Sequence, residues 1–416
     1  MTRCFIRLRQ LSLAGALRLT EPIVRRRAAH PIEGEGALLR LAVRVYADGV
    51  RRVLLVTTAG TVRRGTCAPL VGALERQGIA VAVFDRVVPD PTVACVEQGR
   101  AAAAASGCDG VIALGGGSVI DCAKLICARL ARPRRTLRQM RGMLRVGRRT
   151  LPLYACPTTA GTGSEITAAA VVTDDCEGLP EKYAVSDYCL LPRAAVLDPA
   201  LTAGLSREMT ADTAMDALTH AVEAAAGRYA SRYVRRQAAA AVRLIFGALP
   251  RACAAARVGA DDEVARAALL RASFDAGCAF TCNLVGYVHA LAHAVGALCH
   301  IPHGRAVGVL LPLVLRAYGD AVNRPLAALA RAAGEATPAD SDADAAAAFL
   351  RGLDRLCARI GYPRSLPGLH PEQYDEILRR ARREAVPAYP VPRLLGEEEL
   401  RAVLAAAAEP TRVAET

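Results

Sequence analysis

A change of rhythm near Asp198 limits the fold more than any other feature of this chain. Before it, short Val/Leu-rich runs at 52–57, 79–84 and 110–114 read as strands. Helical stretches at 67–77 and 92–105 lie between them, and Pro89, Asp90 and Pro91 make a turn. Strands that alternate with helices call for a parallel sheet covered on both faces. Residues 151–156 and 168–173 read as further strands. Beyond Asp198 the strand pattern largely stops. Ala-rich helical segments follow at 211–226, 231–246, 263–274 and 305–318, with 335–345 as a connection. The expectation is an α/β domain with a Rossmann-like parallel sheet over 1–200 and an all-helical domain over 201–416. No internal repeat is visible.

Composition narrows the class. Of 416 residues, 53% are apolar and 22% charged, which excludes a disordered chain and leaves ample material for a core. No run reaches 18 consecutive apolar residues, so no membrane-spanning helix is expected. The 14 cysteines are irregularly spaced and include no CxxC pair, which suits buried, reduced thiols in a cytosolic protein. The basic chain start and the short, broken apolar run from Leu11 to Leu17 suit a first strand or helix better than a secretory signal. The net charge of +13 raises nucleic acid as a partner. Yet 51 of the 53 basic residues are Arg, a skew that points to coding bias. The eight Arg between 132 and 149 have no aromatic neighbours for base stacking, so a solvated loop is the reading taken. The two remaining lysines, Lys124 and Lys182, mark positions where Arg does not serve.

Two loops suit phosphates. In the first, a strand runs into Gly115, Gly116 and Gly117 and then into a helix. Glycines let the backbone approach a ligand closely, and a helix N-terminus presents amides and a positive dipole end. Ser118 is read as the N-cap, with Asp121 at capping-box spacing. The spacing is not G-x-G-x-x-G, and a plain strand–helix turn is the rival reading. The second loop, residues 157–165, also follows a strand. It gathers the hydroxyls of Thr158, Thr159, Thr162 and Ser164 with two glycines, more hydrogen-bonding capacity than a turn needs. Thr162 and Glu165 again have capping-box spacing.

Five of the seven histidines fall in two short segments. Asp216 and His220 are four apart, hence on one helix face, as are His289 and His293; His303 follows in a turn. Four His within fifteen residues, with an Asp-x-x-x-His upstream, indicate a metal. Nitrogen and carboxylate donors suit Fe(II), Zn(II), Mn(II) or Co(II) without choosing among them. Spacing supplies five candidates, Asp216, His220, His289, His293 and His303, for a site that commonly takes four, and does not say which is left over.

These segments together resemble the iron-containing (group III) alcohol dehydrogenases, of the dehydroquinate-synthase-like fold. Residues 115–124 resemble that family's G-G-G-S-x-x-D-x-A-K and residues 157–165 its P-T-T-x-G-T-G-S-E. Residues 215–223 resemble M-D-A-L-T-H-A-x-E, and residues 289–304 H-x-x-x-H-x-x-G followed by P-H-G. The likeness runs from about residue 30 to 400 with the motifs in order.

The resemblance implies Asp216, His220, His289 and His303 as ligands of Fe(II), with Zn(II) as the alternative. It implies His293 as a non-ligand His near the substrate, able to relay a proton. It places NAD or NADP on Gly115, Gly116, Gly117 and Ser118, with Asp121, Thr158, Thr159 and Thr162 in the same loops and Lys182 near the ribose. The implied reaction is hydride transfer between nicotinamide and a small alcohol or aldehyde, with the metal as Lewis acid. A homodimer is implied, with neither nucleic acid nor membrane as partner. Glycerol or maleylacetate dehydrogenase, or a dehydroquinate-synthase-like lyase, are the alternatives within the superfamily. This chain also departs from the pattern. Thr58 stands where the family often has Asp, a carboxylate that would repel a 2′-phosphate, and Arg63 and Arg64 follow, so NADP is expected to be accepted. Asp90 replaces the Asn of P-N-P-T, and Ala214 stands where Gly is usual.

Overall fold

The computed structural model describes residues 15, 17–174 and 181–408. The expected first element lies largely outside the described residues, although residues 17–27 form a helix, α1. The chain divides into two compact units, one of Ile23–Gly204 and one of Leu205 onward together with the N-terminal segment to Pro22.

The α/β unit begins β1 (His30–Glu33), α2 (Ala37–Ala47), β2 (Arg52–Val56), α3 (Ala59–Arg63), α4 (Ala68–Arg76), β3 (Ala80–Phe84) and α5 (Val93–Ser106). It continues with β4 (Gly110–Gly115), α6 (Gly117–Ala131), α7 (Leu137–Met140), β5 (Gly142–Met143), β6 (Leu153–Pro157), β7 (Ala169–Asp174), β8 (Glu181–Ser186) and β9 (Ala194–Leu197). Six strands form a parallel sheet in the order β1-β9-β6-β4-β2-β3. The pleat explains the unbroken apolar runs. Leu54, Val56, Val111 and Ala113 pack with α5 and α6, while Val53, Leu55, Ile112 and Leu114 pack with α2 and α4, so both faces are buried. The strand order reverses at β2 and β4: β2 connects to β3 on one side, and β4 continues to β6 on the other. Ligands of open parallel sheets bind beyond the carboxyl ends of the strands at such a reversal, which here means beyond Val56 and Gly115.

Residues 169–174 are a strand, but not of the parallel sheet. β7 pairs antiparallel with β8, to which β5 adds in parallel, making a separate three-stranded sheet. Its alternation, with Ala170 and Val172 buried and Val171 exposed, is that of a sheet wetted on one face. β1 and β9 escape the sequence reading because four residues each carry too little pattern, and β9 (AAVL) gains its place only by burial in the sheet.

The second unit is helical: α8 (Arg207–Ala226), α9 (Arg232–Arg257), α10 (Glu263–Asn283), α11 (Tyr287–Cys299), α12 (His303–Tyr318), α13 (Asn323–Ala333), α14 (Asp342–Ile360), α15 (Tyr374–Ala388) and α16 (Glu397–Ala407). α8 is its centre, packed by α9, α10 and α12. Every residue from Ala214 to Ala226 is buried, which an Ala-rich sequence permits because small side chains allow close approach on all sides. Among the described residues, two stretches are by length and composition apolar enough to cross a membrane, Arg232–Arg257 and His303–Ala333. Half or more of each apolar window, 50% and 56%, is buried inside the protein, where their alanines serve helix packing. None of the twelve described cysteines is in a disulfide.

Candidate metal and cofactor sites

α8 sets Asp216 and His220 one turn apart, both buried. His289 lies in the first turn of α11, and His303 opens α12. Three ring nitrogens converge on one carboxylate oxygen. Nε2 of His289 and Nε2 of His303 are each 3.4 Å from Asp216 Oδ1, and Nδ1 of His220 is 3.8 Å from it. Donor atoms of Asp216, His289 and His303 all lie within 4.8 Å of one another. Ligands about 2.1 Å from one ion at tetrahedral angles stand roughly 3.4 Å apart, so the set has the span of a coordination shell. Asp216 Oδ1 and His289 Nε2 are buried and make no hydrogen bond, a costly arrangement that a cation resolves. His220 is outside the tightest group. Its ring stacks between Phe280, at 4.2 Å, and His289, at 4.4 Å.

The electrostatics agree. Burial would raise the Asp216 carboxyl, but His220 and His303 hold it well below the usual range, so it stays ionised. Burial lowers His289, yet the neighbouring carboxylates of Asp216 and Glu223 outweigh that and push it up to about 9. Burial holds His303 below its ordinary value. The cluster thus attracts positive charge and can supply it only by protonating a buried imidazole. A divalent ion fits the same place, and this donor set suits Fe(II) or Zn(II).

The frame around these donors explains their aim. Glu223, one turn below His220 on α8, accepts hydrogen bonds from Gly286 N (2.9 Å), Val288 N (2.7 Å) and His289 Nδ1 (2.7 Å). It caps α11 from another helix and leaves the His289 Nε2 lone pair for the site. A Cβ at Gly286 would lie 2.6 Å from Glu223 Oε1, so only glycine admits this contact. His303, expected in a turn, is instead the first residue of α12, and this Pro-His-Gly start is pinned similarly. A Cβ at Gly304 would lie 2.5 Å from the Asp212 carbonyl oxygen, Arg305 pairs with Asp212 at 2.8 and 3.1 Å, and Tyr362 OH donates to Gly304 O.

His293, the fifth candidate, stands outside the donor group. Its ring is parallel to that of His303 at 5.2 Å, and its Nδ1 is 2.8 Å from Glu384 Oε1. Burial raises the Glu384 carboxyl, but its bond to His293 brings it below the usual range.

In the α/β unit, the two predicted loops meet. Gly116, extended, is the N-cap of α6, and no side chain caps that helix. This corrects the expected Ser118–Asp121 capping box. Ser118 is already helical, and its Oγ accepts from Asp90 N at 3.3 Å. Asp121 turns away, accepting from Ser164 Oγ (2.6 Å) and Val171 N (2.9 Å), so its carboxylate braces the neighbouring loop. The physical reason is that burial rewards Asp121 for satisfying the donors of the neighbouring loop, and the first turn of α6 is left with its amides uncapped by any side chain. Thr162 and Glu165 likewise form no capping box. Thr162 Oγ1 accepts from Ser164 N, and the 3-10 turn Ser164–Ile166 is preceded by Gly163 at φ 62°. Thr162 instead packs on the glycines: a Cβ at Gly117 would lie 2.8 Å from Thr162 Cγ2, and one at Gly116 would lie 3.5 Å from Thr159 Oγ1. Thr158 N donates to Gly115 O at 3.1 Å. Thr58, just past β2, caps α3 by accepting from Thr61 N. Lys182 pairs with Asp90 at 2.7 Å, which brings Asp90, Ser118 and Lys182 together.

Lys124 shows why Arg does not serve. It is fully buried, and its ammonium donates to Ser164 Oγ (2.9 Å), Thr167 Oγ1 (2.8 Å) and Ala169 O (2.9 Å). A compact three-donor head meets that geometry and a planar guanidinium does not. Burial lowers its pKa to about 8, against the upward pull of Asp121 and Glu165.

Comparison with known proteins decides the family. Residues 29–199 match the model of the iron-containing alcohol dehydrogenases, and residues 210–408 match that of the C-terminal part of the Fe-containing alcohol dehydrogenase family. The chain belongs to the iron-containing alcohol dehydrogenase family. It is 36% identical over 345 residues to the probable alcohol dehydrogenase EutG of Salmonella typhimurium, covering 82% of this chain and 84% of that one. Among solved structures it resembles 1,3-propanediol oxidoreductase, with TM-score 0.84 and 32% identity over 91% of this chain and 99% of that one. It also resembles sulfoacetaldehyde reductase from Bifidobacterium kashiwanohense in complex with NAD+, with TM-score 0.81 and 28% identity over 92% and 98%. As a member of this family the protein is a metal-dependent, nicotinamide-linked oxidoreductase of alcohols and aldehydes.

Two carboxylates of the dehydrogenase were not singled out from sequence. Glu223 had a usable signal, standing three residues after His220 as the one acidic side chain between Ala217 and Ala226. Glu384 had none, being 91 residues from His293 in a stretch of mixed charge.

Proposed function

We propose that this iron-containing alcohol dehydrogenase binds Fe(II), with Zn(II) as the alternative, through Asp216, His220, His289 and His303. NAD or NADP binds at the loops around Gly116 and Thr159, and a small alcohol is interconverted with its aldehyde. The observation that carries this reading is the convergence of three imidazole nitrogens on Asp216 Oδ1 at 3.4, 3.4 and 3.8 Å. When bound, the metal supplies Lewis acidity to the substrate oxygen and the nicotinamide supplies or takes the hydride.

The chain's own groups do the rest. Asp216 stays ionised for the cation, and Glu223 fixes the His289 proton on Nδ1. The uncapped N-terminus of α6, with Gly116, Gly117 and Ser118, holds the diphosphate, and Thr158, Thr159 and Thr162 line the cofactor. Lys182, steadied by Asp90, meets the ribose. His293, 47% exposed, passes the alcohol proton toward solvent. The NAD+ bound by sulfoacetaldehyde reductase supports the nicotinamide assignment.

Metal analysis of anaerobically purified protein, coupled to NAD(P)H oxidation against an aldehyde panel, tests this. His303→Ala is expected to lose metal and activity together; full activity in a metal-free His303→Ala protein refutes the site. Thr58 adds no carboxylate beside the adenosine ribose, and Arg63 and Arg64 follow it, so NADP is accepted. The ratio of kcat/KM for the two cofactors checks this, and a strong NAD preference refutes it. We place the enzyme in the cytoplasm, which its free thiols support, and as a homodimer, which light scattering tests.

A further inference from the structure

Two histidines on α11, one turn apart, each have Nδ1 bound to a carboxylate from another helix. For His289 the carboxylate is Glu223, and for His293 it is Glu384 of α15. The first arrangement serves the donor group. The second serves a ring outside it, and nothing in metal or cofactor binding requires it. Glu384 Oε1 also accepts from Tyr389 OH, whose phenol is pushed well above its usual value by burial and by Glu384 and so remains a donor. Tyr389 ends α15, its backbone N donating to Ala385 O, so phenol and carboxylate are held by one helix terminus. An imidazole as exposed as that of His293 would otherwise sample both tautomers and several ring orientations.

We propose that Glu384, held by Tyr389, is a positioning residue for His293. It keeps the proton on Nδ1 and fixes the ring plane, so that Nε2 is the atom left to accept and return the alcohol proton. This rests on the reading of His293 as proton carrier. A carboxylate that orients a base is worth large factors in rate elsewhere, because the wrong tautomer presents a hydrogen where a lone pair is needed.

The test begins with the unaltered, metal-free chain labelled with 15N-histidine. Long-range 1H–15N correlations are expected to show His293 as the Nδ1–H tautomer; an Nε2–H ring overturns the proposal without any variant. Glu384→Leu removes the acceptor at similar volume. It should lower kcat by about 10- to 100-fold with KM and metal content nearly unchanged. Glu384→Gln, which keeps a carbonyl acceptor, should recover much of that loss, and Tyr389→Phe should lower kcat by a smaller factor. In a His293→Gln background, Glu384→Leu should cost nothing further. Losses that add in the double variant, or an unchanged kcat in Glu384→Leu, overturn the proposal and assign the pair to the end of α15. If His293→Gln itself leaves kcat intact in metal-loaded protein, the reading of His293 fails first. If His293→Gln is slow and Glu384→Leu is not, only the present inference fails.

Discussion

Glu223 holds three donors with two oxygens, and its replacement is the sharpest probe at the scale of single residues. Glu223→Gln keeps the shape but turns an amide NH2 toward a backbone N–H or toward His289. Metal affinity is expected to fall about 10- to 100-fold, read by competition with a chelator of known strength. Unchanged affinity would remove Glu223 from the site. Lys124 supplies a pH test. Its folded pKa of about 8 lies below the ordinary 10.5, so between those values the unfolded chain binds more protons at this position than the folded one. Stability of the unaltered protein relative to Lys124→Met should therefore rise as pH increases from about 8 to 10.5. Urea midpoints across that window check the sign, and a falling difference contradicts it. The residue types at these positions were legible in the sequence. Their partners were not, because Ser164, Thr167 and Ala169 reach Lys124 only once a loop has folded against α6.

Elements were read well where a pattern was long and poorly where a few residues depend on neighbours. The strands at 52–57 and 110–114 are apolar on both pleat faces and stand close to β2 and β4. Helices α9 and α10 run on well past the predicted ends because packing against α8 continues where the local signal fades. The start of α6 departs from the expectation because Ser118 and Asp121 have capping spacing, whereas Asp121 accepts from Ser164 and Val171 of the neighbouring loop and strand. The break between α10 and α11 bends the chain by 103°, with Leu284 at φ 59° and Gly286 closed on Glu223. Gly286→Ala is predicted to destabilise the protein by about 1–3 kcal/mol and to loosen the metal, since its Cβ must displace Glu223. Denaturant unfolding and retained metal after dialysis measure both. A variant as stable and as metal-rich as the parent would mean that the bend does not set the site.

At the scale of the whole molecule, the proposed metal donors lie in one compact unit and the proposed cofactor loops in the other. Each ligand should stabilise its own unit by mass action, about 2.7 kcal/mol at one hundred times its Kd. Hydrogen exchange is expected to slow in α8, α11 and the start of α12 when metal is restored to stripped protein, and around Gly115–Ser118 when NAD(P)H is added. Protection by metal confined to the α/β unit would contradict the assignment. The sequence alone determined the two-part architecture, the glycine loops that open α6 and precede the turn at Ser164, and the list of five metal candidates. Those depend on period, side-chain size and donor chemistry, all local properties. Only the tertiary structure decided that β7 leaves the parallel sheet, that His293 stands apart from Asp216, and that Glu223 and Glu384 aim the two histidines of α11. Each of those outcomes is a distance between residues remote in the chain, and a distance of that kind exists only after burial and hydrogen bonding have selected one packing.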